Sequence, residues 1–202
     1  PSWLTGLRET CGPIKSRLIA LNVHDAVMRL VEGSCDLLIA YHHPAQPIQL
    51  DAQRYEMLPL GQETLAPYVR PDGNGQPMFE LPGAPGHPLP YLAYAPGAYL
   101  GRVVDDLLRK AGTPAQLDRL YETDMAEGLK AMALEGHGVA FLPSSAVRRE
   151  LGAHRLVLAG GDYTAALDIR LYRQRAPARA KRAVDQFWRQ LKTQLGASGE
   201  GV

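Results

Sequence analysis

Residues 124–143, DMAEGLKAMALEGHGVAFLP, constrain the fold more than any other stretch of this chain. Asp124 is placed to accept a hydrogen bond from first-turn amides and Glu127 to reach back, a capping-box arrangement that starts a helix. Met125, Leu129, Met132 and Ala133 then recur on one helical face. Gly136 suits the left-handed conformation that ends a helix, and Val139 to Leu142 form an apolar run short enough for a strand buried on both sides. Pro143 closes the unit.

The same grammar occurs earlier in AVMRLVEGSCDLLIA, where Glu32-Gly33 stands 103 residues before Glu135-Gly136. Each pair follows an apolar helix face and precedes a short apolar strand. Two such units imply two similar α/β subdomains with parallel strands, because parallel neighbours need crossover helices.

At 202 residues and 46% hydrophobic, the chain can bury a packed core as one generous domain or two small lobes. No apolar run reaches the roughly 18 residues of a membrane span, and PSWLTGLRET lacks the layout of a signal peptide. That opening reads as the inside of a helix, so the expectation is a chain that starts partway into a longer protein. A net charge of +1 gives no electrostatic footprint for nucleic acid. Basic residues do gather at Arg173, Arg175, Arg179, Lys181 and Arg182, as a solvated helix start or a phosphate-contacting patch. Cys11 and Cys35 make no disulfide framework, and no Cys/His spacing suits zinc. Cys35, at the entrance of a buried strand, reads as a small hydrophobe.

Along the chain, residues 1–11 read as a helix end stopped by Gly12-Pro13, 17–22 (RLIALN) as a strand, 25–32 as a short helix and 36–41 as a strand. Residues 54–59 and 63–70 read as two extended segments separated by Gly61, and the proline- and glycine-rich stretch 71–90 as a loop between lobes. A strand over 91–95 leads through Gly97 into a helix whose face is Leu100, Val103, Val104, Leu107, Leu108 and Ala111. Strands follow at 117–122, 155–158 and 165–173, with helices at 144–151 and 178–195. The last carries Val184, Phe187, Trp188, Leu191 and Leu195 on its apolar face. Passages between lobes are expected near 66–75 and 164–170, which places a hinge and a ligand cleft at the carboxyl ends of the strands.

Leu30, Gly33, Asp36, Leu37 and Ile39 form one phrase, L-x-x-G-x-x-D-L-x-I. Gly136, Gly138, Val139, Leu142 and Pro143 form a second, G-x-G-hydrophobic-x-x-L-P. In this order and spacing they resemble the effector-binding domain of LysR-type transcriptional regulators. The resemblance covers nearly the whole chain. It implies an α/β fold of two Rossmann-like lobes joined by two crossover strands, like periplasmic binding proteins, with lobe I at 1–69 and 168–202 and lobe II at 70–167. Two departures stand out: no winged helix-turn-helix is present, and the strand that opens the family's domain is missing before PSWL.

The family further implies a small-molecule effector or oxidant, a cytoplasmic location, no membrane and DNA contact only through the missing winged helix-turn-helix. It also implies a homodimer or tetramer, paired through antiparallel helices at 25–32 and 98–111. The layout most resembles the hypochlorite-responsive members, which makes Met28, Met125 and Met132 candidate redox sensors, since oxidation turns a flexible apolar thioether polar. Methionines on helix faces otherwise fill cores. A cysteine-based peroxide sensor fits less well, because Cys11 and Cys35 both fall in the first lobe.

The strand ends and helix starts expected at the cleft are Asn22, Val23, His24, Tyr41, His42, Gly97, Ala98, Tyr99, Thr123, Asp124 and Met125. Helix starts offer free amides, so the turn at Gly97 to Leu100 and the one at Asp124 suit an anion or carboxylate, the first better because Asp124 as a cap would itself occupy the second. His42-His43 suits ligand contact or titration, and equally a solvated loop. Tyr99 suits a roof over the cleft or a packing role. No nucleophile elbow, HExxH or phosphate-cradling loop appears, and no catalytic residue, metal or cofactor is expected. The alternatives are a stand-alone solute-binding protein of the same fold and a small hydrolase using Asp or His in the cleft.

Overall fold

The computed structural model describes residues 16–177 and 181–199. The helix end expected over 1–11, its stop, Cys11 and Arg179 lie outside the described residues. Five helices are described: α1 (Val23–Val31), α2 (Tyr99–Lys110), α3 (Ala126–Leu134), α4 (Ser144–Gly152) and α5 (Arg182–Gly199). The strands are β1 (Leu38–His42), β2 (Tyr55–Val69), β3 (Leu89–Tyr94), β4 (Leu117–Thr123), β5 (Val139–Pro143), β6 (Val157–Leu158) and β7 (Ala165–Gln174). The chain divides into two compact units. Unit 1 takes Pro1–Tyr41, Ile48–Gly61 and Ile169–Val202; unit 2 takes His42–Pro47 and Gln62–Asp168. Both β2 and β7 run from one unit into the other.

In unit 1 the strand order is β1–β7–β2. Leu30, Leu38, Ala40, Tyr55 and Tyr172 pack into one buried cluster and Leu58, Leu171, Trp188 and Leu191 into another. Trp188 and Leu191 lie on the apolar face expected of the closing helix. The Arg173 guanidinium stacks 4.6 Å from the Trp188 ring centroid.

In unit 2 the order is β2–β5–β3–β4, with β6 on β2. Strand β3 is parallel to both β4 and β5, as the intervening helices α2 and α3 require, while β2 returns antiparallel to β5 with Leu65 opposite Pro143. All five residues of β5 are buried, which is why this strand reads as a run and not as an alternation. Phe141 at its centre meets the Tyr91 ring edge-on at 6.1 Å. Leu129 and Ala133 of α3 and Val103 and Val104 of α2 are fully buried against this sheet.

The 103-residue echo is realised in backbone geometry. Both α1 and α3 end at a glutamate cap, Glu32 and Glu135, followed by a left-handed glycine, Gly33 at φ 71° and Gly136 at φ 83°. Gly33 N–H donates to Leu30 O and Ser34 N–H to Arg29 O; Gly136 and His137 repeat the pattern on Ala133 and Met132. Both are Schellman closures.

Four local expectations are corrected. Residues 17–22 carry no strand, and Leu18 is 73% exposed, because a β-pattern needs a hydrogen-bonded neighbour that RLIALN lacks. Gly61 does not separate two segments: β2 passes through it at φ 148°, with open space where a side chain would stand. Asp124 does not cap α3; the cap position is Met125, and Glu127 reaches Lys130 at 2.6 Å instead of reaching back. The strand expected over 155–158 contracts to β6, since Arg155 N–H and Leu156 N–H are taken by Glu150 O at the end of α4.

Candidate functional site

Three helices of unit 2 begin at the carboxyl ends of its parallel strands: α2 after β3, α3 after β4 and α4 after β5. Their cap residues, Ala98, Met125 and Pro143, make no side-chain cap hydrogen bond, whereas Asn22 caps α1 by accepting from Asp25 N–H at 2.9 Å. First-turn amides on one sheet edge give a local positive potential. The first two turns are neighbours, since Ala95 N–H donates to Thr123 O at 2.9 Å. Gly97, Ala98, Tyr99, Thr123, Asp124 and Met125 therefore share one edge. Thr123 Oγ1 accepts from Met125 N–H at 3.3 Å, fixing the turn from which Met125 projects 55% exposed.

The third helix start is already served. Glu63, from β2, accepts from Ser145 N–H at 2.8 Å and from Ser144 Oγ at 3.4 Å, so one carboxylate oxygen caps α4 from another strand. Its other oxygen is buried without a hydrogen-bond partner. Sequence reading missed Glu63, Ser144 and Ser145 because no local pattern links residues 81 apart.

Tyr99 is 7% exposed and its hydroxyl is engaged, accepting from His43 N–H at 2.7 Å and donating to Gln46 O at 2.9 Å. His43 Nδ1 accepts from Ala45 N–H at 3.2 Å. His42 Nδ1 lies 3.5 Å from Asp168 Oδ2, and Asp168 also accepts from Gln62 Nε2 at 2.9 Å. The histidine pair is thus held within unit 2 and not left in a solvated loop. The remaining candidates, Asn22, Val23, His24, Met28 and Tyr41, belong to unit 1; Asn22 is occupied as a cap, His24 is exposed and Tyr41 is half-buried in β1.

The methionines depart from the core-filler pattern. Met28, Met57 and Met78 are 42%, 43% and 44% exposed, and Met132 is half-buried. Burial, and next the neighbouring Asp36 charge, push the Cys35 thiol above its ordinary range, which keeps it protonated and poorly reactive. Three of the late basic residues are matched within unit 1: Arg173 and Arg175 by Glu56, Arg173 also by Asp185, and Lys181 by Asp36. Among the described residues no group of three or more His, Cys, Asp or Glu could hold a metal ion, and no helix is long and apolar enough to cross a membrane.

A two-unit α/β chain with three helix starts gathered at the carboxyl ends of parallel strands has the architecture of a ligand-binding α/β domain. The LysR substrate binding domain family matches residues 1–196, and the chain belongs to that family. It is 29% identical over 173 residues to the HTH-type transcriptional regulator YjiE of Escherichia coli (strain K12), covering 86% of this chain and 54% of that protein. It is also 29% identical to the HTH domain-truncated transcriptional regulator QseD of Escherichia coli O157:H7, covering 68% of it. The chain thus spans about half the length of the first of these relatives. Among solved structures, the bromide-bound regulatory domain of HypT from Salmonella typhimurium superposes with a TM-score of 0.78 at 25% identity, covering 96% of this chain and 89% of that one. Full-length HypT, a hypochlorite-specific LysR-type transcriptional regulator, gives 0.77 at 26% identity over 96% of this chain and 64% of its own. The fold expected from the two phrases is the fold of these proteins, and the family is a regulatory one.

Proposed function

We propose that this chain is the sensing half of a cytoplasmic LysR-type regulator. It takes an anionic effector or oxidant at the carboxyl edge of unit 2, dimerises, and passes the change to a DNA-binding domain elsewhere in the protein. The oxidant is hypochlorite and its target is Met125. The observation that carries this reading is Met125 itself, a thioether at the uncapped start of α3 and 55% exposed. The start of α2, whose cap residue Ala98 makes no side-chain cap hydrogen bond, is the place for an anion on the same edge. HypT, hypochlorite-specific by its description and known in a bromide-bound form, supports the choice of ligand class.

The chemistry balances without a cofactor. The thioether sulfur attacks the chlorine of hypochlorous acid and hydroxide leaves; water then displaces chloride from the chlorosulfonium ion and two protons depart, one neutralising the hydroxide, as the sulfoxide forms. Sulfur loses the electron pair that chloride carries away. The sulfoxide oxygen is a hydrogen-bond acceptor where α3 has no side-chain cap, so oxidation supplies the missing acceptor, and sulfoxide reductases reverse it.

Limited hypochlorite followed by peptide mass spectrometry should give Met125 sulfoxide well before Met132 sulfoxide, and Met125→Leu should abolish the regulator's response. Full response in Met125→Leu combined with Met132→Leu would eliminate the methionine mechanism. Dimerisation is checked by sedimentation, where a monomer at every concentration counts against it.

A further inference from the structure

Unit 2 carries a concave site on the edge away from its helix starts. Strand β2 runs antiparallel to β5, with Leu65 opposite Pro143 and Tyr68 opposite Ala140, so Arg70, just past β2, stands at the amino end of β5. Helices α3 and α4 close toward the same edge, at Glu135 and Ala153. A groove of about 470 Å³ opens there, lined by Arg70, Glu135, His154 and Arg155 together with the half-buried Pro71 and Leu134. Two features of this lining go beyond what closing the helices requires. The end of α4 has the closure seen in α1 and α3: His154 N–H donates to Leu151 O at 3.0 Å and Arg155 N–H to Glu150 O at 2.8 Å. The other two place glycine in the left-handed position, whereas here His154 takes it at φ 52°, the one non-glycine at positive φ among the described residues. A side chain is held there against backbone preference, and the imidazole it carries lines the groove. The second feature is a pair of opposite charges left apart. Among the described residues, neither Arg70 nor Glu135 makes a side-chain hydrogen bond or ion pair, with each other or with a neighbour. The Arg70 guanidinium lies at the end of α3, its Nη1 3.7 Å from where a Gly136 Cβ would stand. It donates to none of that helix's last carbonyls, of which those of Met132 and Ala133 are taken by the closure.

We infer that this groove binds an α-amino acid with an apolar side chain. The ligand carboxylate meets the Arg70 guanidinium, with the His154 imidazole as a second donor, and the ammonium meets the Glu135 carboxylate. The apolar side chain lies against Pro71 and Leu134. Arg155 is already shared with Glu150 at 3.3 Å and adds positive potential without being needed as a contact. A cation and an anion that stay apart on one concave surface are complementary to a ligand that carries both charges, and a ligand with only one leaves the other unanswered. The inference stands apart from the oxidant-sensing reading, because none of these residues lies at the carboxyl edge of the sheet.

In the full chain, titration with L-leucine should shift the amide resonances of Glu135, His154 and Arg155. Two analogues keep the branched carbon skeleton and one charge each: 4-methylpentanoate has only the carboxylate and isoamylamine only the ammonium. Each should bind the wild type about tenfold more weakly than leucine, the worth of one charge-assisted hydrogen bond. Arg70→Gln should weaken leucine and 4-methylpentanoate alike, by about tenfold. Glu135→Gln should weaken leucine by a similar factor and leave 4-methylpentanoate unchanged or tighter. His154→Gly relieves the left-handed strain, so it should raise the melting temperature while weakening leucine. Absence of leucine shifts at these three amides overturns the inference. Equal wild-type affinity for leucine and 4-methylpentanoate overturns it as well, by making the groove a plain carboxylate site. Leucine shifts confined to the starts of α2 and α3 overturn it by placing the ligand at the other edge of unit 2.

Discussion

Asp106 shows how side chains on one helix settle a charge that the sequence leaves ambiguous. It falls among the apolar positions of α2 and is only 6% exposed, yet it is covered by cations of its own helix and not sunk in the core. Lys110 Nζ stands 2.8 Å from one carboxylate oxygen and Arg109 takes the other. The hydrogen bond from Lys110, then that from Arg109, hold its carboxyl below the ordinary value of 3.8 against the opposing effect of desolvation. A carboxylate whose folded-state pKa is depressed adds stability above its unfolded pKa and loses it as pH falls through the folded one. Asp106→Asn should therefore narrow the gap to the wild type below about pH 4, most clearly at low salt, where the ion pairs are least screened. Acid denaturation curves that stay parallel throughout would exclude this role. The sequence reading did not single out Asp106, and Tyr99 and Glu63 drew their roles from partners 53 or more residues away, which no helical period records.

At the scale of elements, the two Schellman closures were the most legible feature, because each needs only a glycine one residue past a helix. Their environments differ. A Cβ on Gly33 would meet nothing within 4 Å, while one on Gly136 would stand 3.3 Å from Met78 Sδ and 3.5 Å from Arg70 Cδ. Gly33→Ala thus isolates left-handed strain, which costs about 1–2 kcal/mol. Gly136→Ala adds displacement of two side chains with free ends and should cost slightly more. Urea denaturation of the two variants measures the difference, and a neutral Gly33→Ala would refute the argument. The start of α3 was misread where its end was not: Asp124 and Glu127 have capping-box spacing, but Thr123 Oγ1 takes the Met125 amide and Lys130 takes Glu127. A cap needs the competing donors and acceptors to be absent, and a spacing says nothing of competitors.

For the whole molecule, β2 and β7 set what can be separated. Unit 1 is assembled from three stretches of chain, whereas unit 2 is almost one continuous stretch, Gln62–Asp168, with His42–Pro47 as its only distant part. The fully buried residues of unit 2, among them Leu65, Leu92, Val103, Leu129, Phe141 and Leu156, all fall within that continuous stretch. What it loses on excision is the turn fastened to Tyr99 and the His42–Asp168 contact. The excised segment 62–168 should therefore fold, with a stability toward the low end of the roughly 5–15 kcal/mol usual for small domains. Its Tyr99 hydroxyl should be newly exposed to solvent. Dispersed amide resonances for β3 and β5 in the fragment would support this; a disordered spectrum would mean that the core of unit 2 depends on residues beyond its own strands.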